Sequence, residues 1–381
     1  MALAAGEVLG ERIAGGTITT KDGHAAEVPG IEVWEAAHPV PDARGLAGAA
    51  EALACARRAG PRDLVLCLLS GGASALWPSP PKGVTLTDLR ALTGRLLRAG
   101  ATIRELNTVR KHLSRIGGGW LARAAYPARV VTLAVSDVVG SALDVIASGP
   151  TVPDPTTFAD ALDVLERYEV EGSSTAIAYL HAGADGQAPE TPKPGDPAFD
   201  RTTAHVIARN ADALRGAAAE AERLGWRAEI VADDMEGEAR EVARQIATFA
   251  LERQAGLRSG APPLALLLGG ETTVTVRGSG TGGRNQELAL ALAIELEGRD
   301  GIVAASLGTD GTDGSTDAAG GMVDGETVSR GAVRGLDARD FLARNDSHPF
   351  LRATGDLLVT GPTGTNVCDV VLVLIQSATA A

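Results

Sequence analysis

The sequence predicts two layered α/β domains. Three observations carry that expectation. A chain of 381 residues is long for a single core and suits two. Short apolar runs with the look of buried strands alternate with helical stretches along its whole length. Glycine-rich turns follow those runs directly, and the 47 glycines suit strand-to-helix loops that need φ > 0.

The elements follow in order. Ala2–Ile13 reads as the body of a helix with neither cap nor preceding strand, so the chain is expected to begin inside an element. Ile31–Trp34 is a strand that leads to the turn-like His38-Pro39-Val40-Pro41-Asp42, and Leu46–Arg58 is a helix. Asp63–Leu69 (DLVLCLL) reads as a strand buried on both faces and runs into Ser70-Gly71-Gly72-Ala73-Ser74. Thr87 is placed to cap a helix with Leu89, Leu92, Leu96 and Leu97 on one face. Asn107–Ile116 is a helix carrying Arg110-Lys111-His112. Val130–Val135 is a second buried strand, ending at Ser136-Asp137, and Phe158–Tyr168 is amphipathic.

His181–Asp200 has four prolines, three glycines and no periodic pattern, so it reads as a linker, with domains at 1–195 and 196–381. A second α/β set starts at His205–Ile207. It continues with a helix at Asp212–Leu224, a strand at Glu229–Ala232 and a helix at Glu236–Ala255. Strands at Leu264–Leu268 and Glu271–Arg277, a helix at Asn285–Glu297 and a strand at Ile302–Leu307 follow. Strands near Leu357–Thr360 and Val367–Leu374 close the pattern.

Composition excludes several functions. A net charge of −13 argues against a duplex-binding surface and against an anionic membrane surface. Aromatics at 3% leave no stacking platform for single strands. Cys55, Cys67 and Cys368 lack zinc spacing and read as reduced thiols. Neither a signal peptide nor a membrane-length apolar run is visible, so a cytoplasmic protein is expected.

The chemistry-bearing residues sit in the turns. Gly278, Gly280 and Gly283 match G-x-G-x-x-G, the textual form of a dinucleotide fingerprint. The Thr/Val alternation of the preceding strand and the arginine that ends the loop speak instead for an anion pocket. In that reading Gly280, Gly282 and Gly283, a helix N-terminus and Arg284 face phosphate. Asp310, Asp313 and Asp317 follow an apolar strand, where carboxylates can hold Mg²⁺ together with substrate phosphates; Asp-Gly turns without metal are the alternative. Ser70, Gly71, Gly72 and Ser74 form a loop suited to a phosphate or a small carboxylate, and it is not a Walker A loop. Arg110 and Lys111 can neutralise an anion or simply face solvent. Asp137, at a strand end, is a candidate metal or hydroxyl partner, and Glu271 in Gly269-Gly270-Glu271-Thr272 is a carboxylate for the same task. Asp369 reads as a turn or strand residue.

Taken together, HPVPD (38–42), LLSGGASAL (68–76), LNTVRKHLS (106–114), SDVVG (136–140), DVIASGPTVPD (144–154), GGET (269–272), GGRNQELAL (282–290), GTDGTDGSTDAAGG (308–321) and TGPTGTNVCD (360–369) resemble the class II glycerate kinases. These are glycerate 2-kinases with a C-terminal MOFRL domain. The resemblance covers nearly the whole chain. It implies a Rossmann-like N-terminal domain, a MOFRL-type C-terminal domain and an active site in an interdomain cleft. It implies transfer of phosphate from ATP to the 2-hydroxyl of D-glycerate, with Mg²⁺. Arg284 and Asp137 are then the catalytic candidates. Asn107, Arg110 and Lys111 are the substrate-binding candidates, and Glu271, Asp310 and Asp313 the metal candidates. D-glycerate and ATP are the implied partners, with no nucleic acid or membrane and a homodimer left open. Such families open with a strand and a Gly-x-Gly-Lys-Ala turn whose lysine is a proposed catalytic residue. Met1 stands just after that point, so an N-terminally truncated member is expected. An NAD(P)H-dependent hydroxypyruvate reductase and a non-catalytic binding homologue are the alternative functions.

Overall fold

The computed structural model describes residues 1–138, 140–170, 174–258 and 260–377. It divides into two units. Met1–Val135 with Ser141–Ile207 forms the first, and Ser136–Gly140 joins the residues from Ala208 onward in the second.

The first unit carries two small sheets. Strands β1 (Gly16–Lys21) and β2 (Ile31–Ala36) pair in parallel. Strands β3 (Leu64–Leu69), β4 (Arg129–Val135) and β5 (Thr202–Ala208) lie in the order β3-β4-β5, with β3 parallel to β4. Strand β3 was expected to be buried on both faces. It stands instead at the sheet edge, where Cys67 and Leu69 are buried while Leu64 is 54% exposed. The helices start on side-chain caps. Asp42 accepts from Gly45 N at 3.0 Å and opens helix Ala43–Arg58. Thr85 with Asp88, Thr102 with Glu105 and Thr157 with Asp160 form reciprocal capping boxes. Each such cap stabilises its helix by about 1 kcal/mol. Thr85 therefore takes the capping place expected of Thr87. Leu92, Leu96, Leu106, Val109, Leu113, Phe158 and Leu180 pack into one core.

The stretch expected as a linker is built into this unit. Helix Thr175–Ala184 enters it, and Thr191 donates its hydroxyl to the buried Asp154 at 3.0 Å. Strand β5 pairs in the first unit's sheet, so the passage to the second unit comes after Ile207 and not at residue 195. Helix Ala2–Leu9 is present as expected and buries no residue.

The second unit is built on a mixed sheet. Its strands are β6 (Arg227–Glu238), β7 (Leu264–Thr273), β8 (Ile302–Gly308), β9 (Gly320–Asp324), β10 (Leu357–Leu358) and β11 (Asp369–Ile375). The spatial order is β10-β9-β8-β11-β7-β6, with β6 and β7 parallel and every other pair antiparallel. The two strands expected between Leu264 and Arg277 are one strand. Gly270 lets it continue: φ is 148°, and a Cβ there would lie 2.1 Å from Met235 O, where β6 shifts register. Helices Ala239–Ala255 and Arg284–Glu295 bury Val242, Ile246, Leu288 and Leu292 against Leu264, Leu266, Val371 and Val373. Strands β1 and β9 and the helices Thr327–Val333, Ala338–Ala343 and Ser347–Thr354 had no counterpart in the sequence reading.

Candidate functional site

In the second unit the chemistry centres on Arg284, the first residue of its helix. Its Nε and Nη2 donate to the two carboxylate oxygens of Asp369 at 2.6 and 3.0 Å, and its Nη1 lies 2.5 Å from Glu271 Oε1. Asp369 opens β11 between Gly270 of β7 and Gly308 of β8, and is 1% exposed. The guanidinium fork meets both oxygens of this buried carboxylate, so neither is left without a donor. Asn210 holds the same point from behind. Its Nδ2 donates to the carbonyls of Val367 and Asp369, each at 2.8 Å, and its side chain lies against Gly269.

Acidic groups outnumber the cation here. The pKa of Glu271 is raised, chiefly by burial and further by the charges of Asp369, Asp137 and Glu236, while Arg284 opposes the rise. Burial also pushes the Cys368 thiol up, and Glu271, Asp137 and Asp369 add to it. For Arg284, burial disfavours the charge, but the hydrogen bonds to Asp369 and the charges of Asp369 and Glu271 outweigh it and raise the pKa. Asp137 thus acts on the same cluster as Glu271. Asp310 accepts from Thr312 N and Thr312 Oγ1, each at 2.9 Å. A methyl group at Gly308 would lie 3.4 Å from Asp310 Oδ1 and 3.6 Å from Asp369 Oδ1, so both carboxylates face one spot.

In the first unit a cavity of about 160 Å³ is lined by Pro39, Ser74, Trp77, Arg110 and Ser148 among others. Gly72, in the left-handed region at φ 82°, starts the short helix Ala73–Leu76 that carries Ser74 to the wall. Ser74 Oγ lies 3.0 Å from Ser148 Oγ, and Ser148 Oγ donates to the buried Asn107 Oδ1 at 3.2 Å. Arg110 is half-buried, and among the described residues no carboxylate pairs with it; burial alone lowers its pKa. A guanidinium left without a partner at such a wall is suited to an anionic ligand.

Comparisons with known proteins agree along the chain. A domain of unknown function (DUF4147) matches residues 1–181, and the MOFRL family matches residues 264–369. The D-glycerate 2-kinase of Thermotoga maritima is 46% identical over 98% of this chain and 88% of its own. The chain belongs to the glycerate kinase family. A crystal structure of the Thermotoga maritima glycerate kinase superposes with a TM-score of 0.88 at 45% identity, covering 99% of this chain and 88% of that one. A relative from Agrobacterium vitis, 47% identical over 94% of this chain and 81% of its own, carries the provisional name of a hydroxypyruvate reductase.

In this member of the glycerate kinase family, three sequence expectations change. Asp313 was expected as a metal ligand. Its Oδ1 accepts from Asn285 N at 3.1 Å, and its Oδ2 from Gln286 N at 2.9 Å and Gln286 Nε2 at 3.0 Å, so the carboxylate anchors the helix start. Its pKa is raised by burial, against those hydrogen bonds. Gly280, Gly282 and Gly283 were expected to cradle phosphate. A Cβ at these positions would lie 2.5 Å from Asp346 Cβ, 2.3 Å from Ser347 Oγ and 2.3 Å from Asp313 Cγ. The glycines make room for the chain itself, and the helix N–H groups meant for phosphate are taken by Asp313. Lys111 was expected to bind substrate. It is 3% exposed, with Nζ 3.5 Å from Asp144 Oδ2 and 3.4 Å from Asp154 Oδ1, and it ties two segments of the fold together.

Other expected residues do come together. Arg284, Asp137 and Glu271 share one cluster in the second unit, with Asp310 beside Asp369. Arg110 and Ser74 share one wall in the first, with Gly72 setting its turn and the buried Asn107 behind it, held to Ser148. Ser70 is exposed and Gly71 half-buried at the start of that turn. Asp369, Ser148 and Asn210 were passed over. The signal for Asp369 was a carboxylate at the junction of a glycine turn and an apolar strand. Among the described residues no group of three or more His, Cys, Asp or Glu forms a metal cage. Mg²⁺ asks for less, since one or two carboxylates suffice when phosphates and water complete its shell. The acid surplus around Glu271 fits that demand. Among the described residues no helix is long and apolar enough to cross a membrane.

Proposed function

We propose that the chain transfers the γ-phosphoryl group of ATP to the 2-hydroxyl of D-glycerate, with Mg²⁺. The observation that carries this reading is the half-buried Arg110 guanidinium, without a carboxylate partner, beside the Ser74–Ser148 hydroxyl pair in a cavity of about 160 Å³. A cavity of roughly 150 Å³ holds a molecule the size of benzene, so a small hydroxy acid fits and a nucleotide does not. The guanidinium fork takes the glycerate carboxylate, and the two serines face its hydroxyls.

The Arg284 cluster serves phosphate. Asp369 fixes the guanidinium plane, and the N–H groups not used by Asp369 and Glu271 are available to phosphoryl oxygens, where charge builds during transfer. Glu271, Asp137 and Asp310 are the carboxylates that would hold Mg²⁺, which neutralises phosphate charge when bound. Glu271, with its raised pKa, is also suited to accept the hydroxyl proton. Free Cys55, Cys67 and Cys368 support a reducing, cytoplasmic setting within the same proposal.

The test is an ADP-release assay with D-glycerate, ATP and Mg²⁺, with the ester position read by phosphorus NMR. Arg284→Ala should lower kcat by roughly two decades, the scale of one lost transition-state donor; parent-like turnover sinks its role. Hydroxypyruvate reduction has the names of two relatives in its favour, but the space at the fingerprint glycines is filled by the chain's own atoms. NADH oxidation by hydroxypyruvate without ATP would reinstate it. Glycerate binding beside a silent kinase assay would make the chain a binding homologue.

A further inference from the structure

A second cavity of about 400 Å³ lies in the first unit and shares only Ser114 with the cavity of Arg110. Four cations from separate segments line it: Arg57 near the end of helix Ala43–Arg58, Lys82, Arg115, and Arg123 in helix Trp120–Ala125. Arg123 pairs with Asp196 and stacks over Trp120, its Cζ 5.2 Å from the ring centroid. Arg57, Lys82 and Arg115 have no carboxylate at ion-pair distance among the described residues. Glu190, between the lining residues Pro189 and Thr191, is engaged by Phe158 N, Thr191 N, Lys193 and, at 2.9 Å, His112 Nε2. Trp120 and Tyr179 give the cavity an aromatic wall.

This placement runs against the chain's overall balance. At a net charge of −13 the surface repels anions, yet here positive charge gathers around one concavity. The size falls in the usual range for small-molecule sites, about 300–1,000 Å³. Arginine forks match phosphate oxygens in pairs, and one singly charged acid leaves most of these donors unused. We propose that this cavity is a second anion site, taking a small phosphorylated ligand with two or more negative charges, separate from the seat of Arg110. The aromatic wall favours a ligand that also presents a flat ring, such as a nucleoside diphosphate.

Isothermal titration of the full chain with inorganic pyrophosphate tests the charge requirement, and titration with a nucleoside diphosphate tests the ring. Parent protein should bind pyrophosphate, more weakly as salt rises. Arg57→Gln with Arg115→Gln should weaken binding by about ten-fold or more, the scale of lost charge-assisted hydrogen bonds. Arg115→Lys should keep most of the affinity. In Arg110→Ala and Arg284→Ala backgrounds, which remove the anion seats already described, pyrophosphate binding at this cavity should persist, and kcat and both KM values of the double Gln variant should match the parent. The proposal falls if the parent binds no pyrophosphate or if the double variant binds as well as the parent. It falls equally if the lost binding is accompanied by a raised KM for ATP, which would make the cavity part of the substrate site. Unchanged circular dichroism of the double variant keeps a loss of binding from being a loss of fold.

Discussion

Asp369 receives the Nε and Nη2 of Arg284 on its two carboxylate oxygens, across a sequence separation of 85 residues. One partner starts the last strand of the sheet and the other starts a helix. Asp369→Asn keeps the volume and removes the charge. It should lower kcat by roughly one to two decades through loss of guanidinium orientation. It should also destabilise the protein, toward the low end of the ~3–5 kcal/mol typical of a broken buried pair, because Arg284 is partly open to solvent. Steady-state kinetics beside denaturant unfolding checks both, and unchanged kcat would remove Asp369 from the machinery.

Arg110 makes a contrasting case. Among the described residues it makes no ion pair, so Arg110→Ala should leave the unfolding midpoint near that of the parent. KM for D-glycerate should rise by about ten-fold or more, in line with a lost hydrogen bond to a charged group. A shift in KM for ATP alone would place the arginine elsewhere in the reaction.

Lys111, one residue later, should behave in the opposite way. Lys111→Met leaves Asp144 and the buried Asp154 without their cation. The pKa of Asp154 is lowered despite burial, with Lys111 the first of the groups that hold it down. The variant should lose about 3–5 kcal/mol of stability or fail to fold. A stable variant with only a raised glycerate KM would return Lys111 to the substrate site.

Gly283→Ala tests the helix anchor. The new methyl would lie 2.3 Å from Asp313 Cγ, so the carboxylate must leave the N–H groups of Asn285 and Gln286. A loss of about 1–3 kcal/mol is expected from overpacking and a broken cap. Thermal unfolding measures it. A parent-like midpoint would show that Asp313 has somewhere else to go.

Glu271 gives the protein a pH dependence. Its pKa is raised above the ordinary 4.5, so the folded chain keeps that proton at pH values where the unfolded chain has lost it. The group's stabilising contribution is full below 4.5 and falls as pH rises through the higher folded value. Glu271→Gln mimics the protonated form. It should be more stable than the parent at neutral pH, and the difference should close as pH drops below 4.5. Denaturant unfolding across that range checks it, and a gap that widens in acid would reverse the assignment.

What could be read from the sequence was what local chemistry dictates. The apolar run before Ser136 and the amphipathic run from Phe158 gave elements at their proper places, because burial period is a local property. Arg284, Glu271 and Asp137 were legible as candidates because charged residues beside glycine turns at strand ends are unusual in a packed fold. Their grouping was not, since it depends on strand order. Asp313 and Lys111 were misread for one reason: a buried charge and a ligand-binding charge have the same letter, and only the structure shows which partner it has met. The glycines before Arg284 were misread similarly. None of Gly278, Gly280, Gly282 or Gly283 has positive φ. They are small because Arg344–Ser347 and Asp313 press against them, a contact more than sixty residues away for all but the last. The missed β1 and β9 hold few apolar residues, Ile18 in the first and Met322 and Val323 in the second, so no pattern of their own marks them.

Strand β11 pairs along all of its length with β7 on one side and β8 on the other. The strand of this sheet that comes last in sequence order therefore occupies a middle position in it. During synthesis, β7 and β8 must wait apart until their shared partner leaves the ribosome. Arg284 waits with them, since its carboxylate arrives on the same strand. The reactive corner of this unit is thus completed by the very event that closes the sheet, and a nascent chain stalled before Asp369 would hold neither.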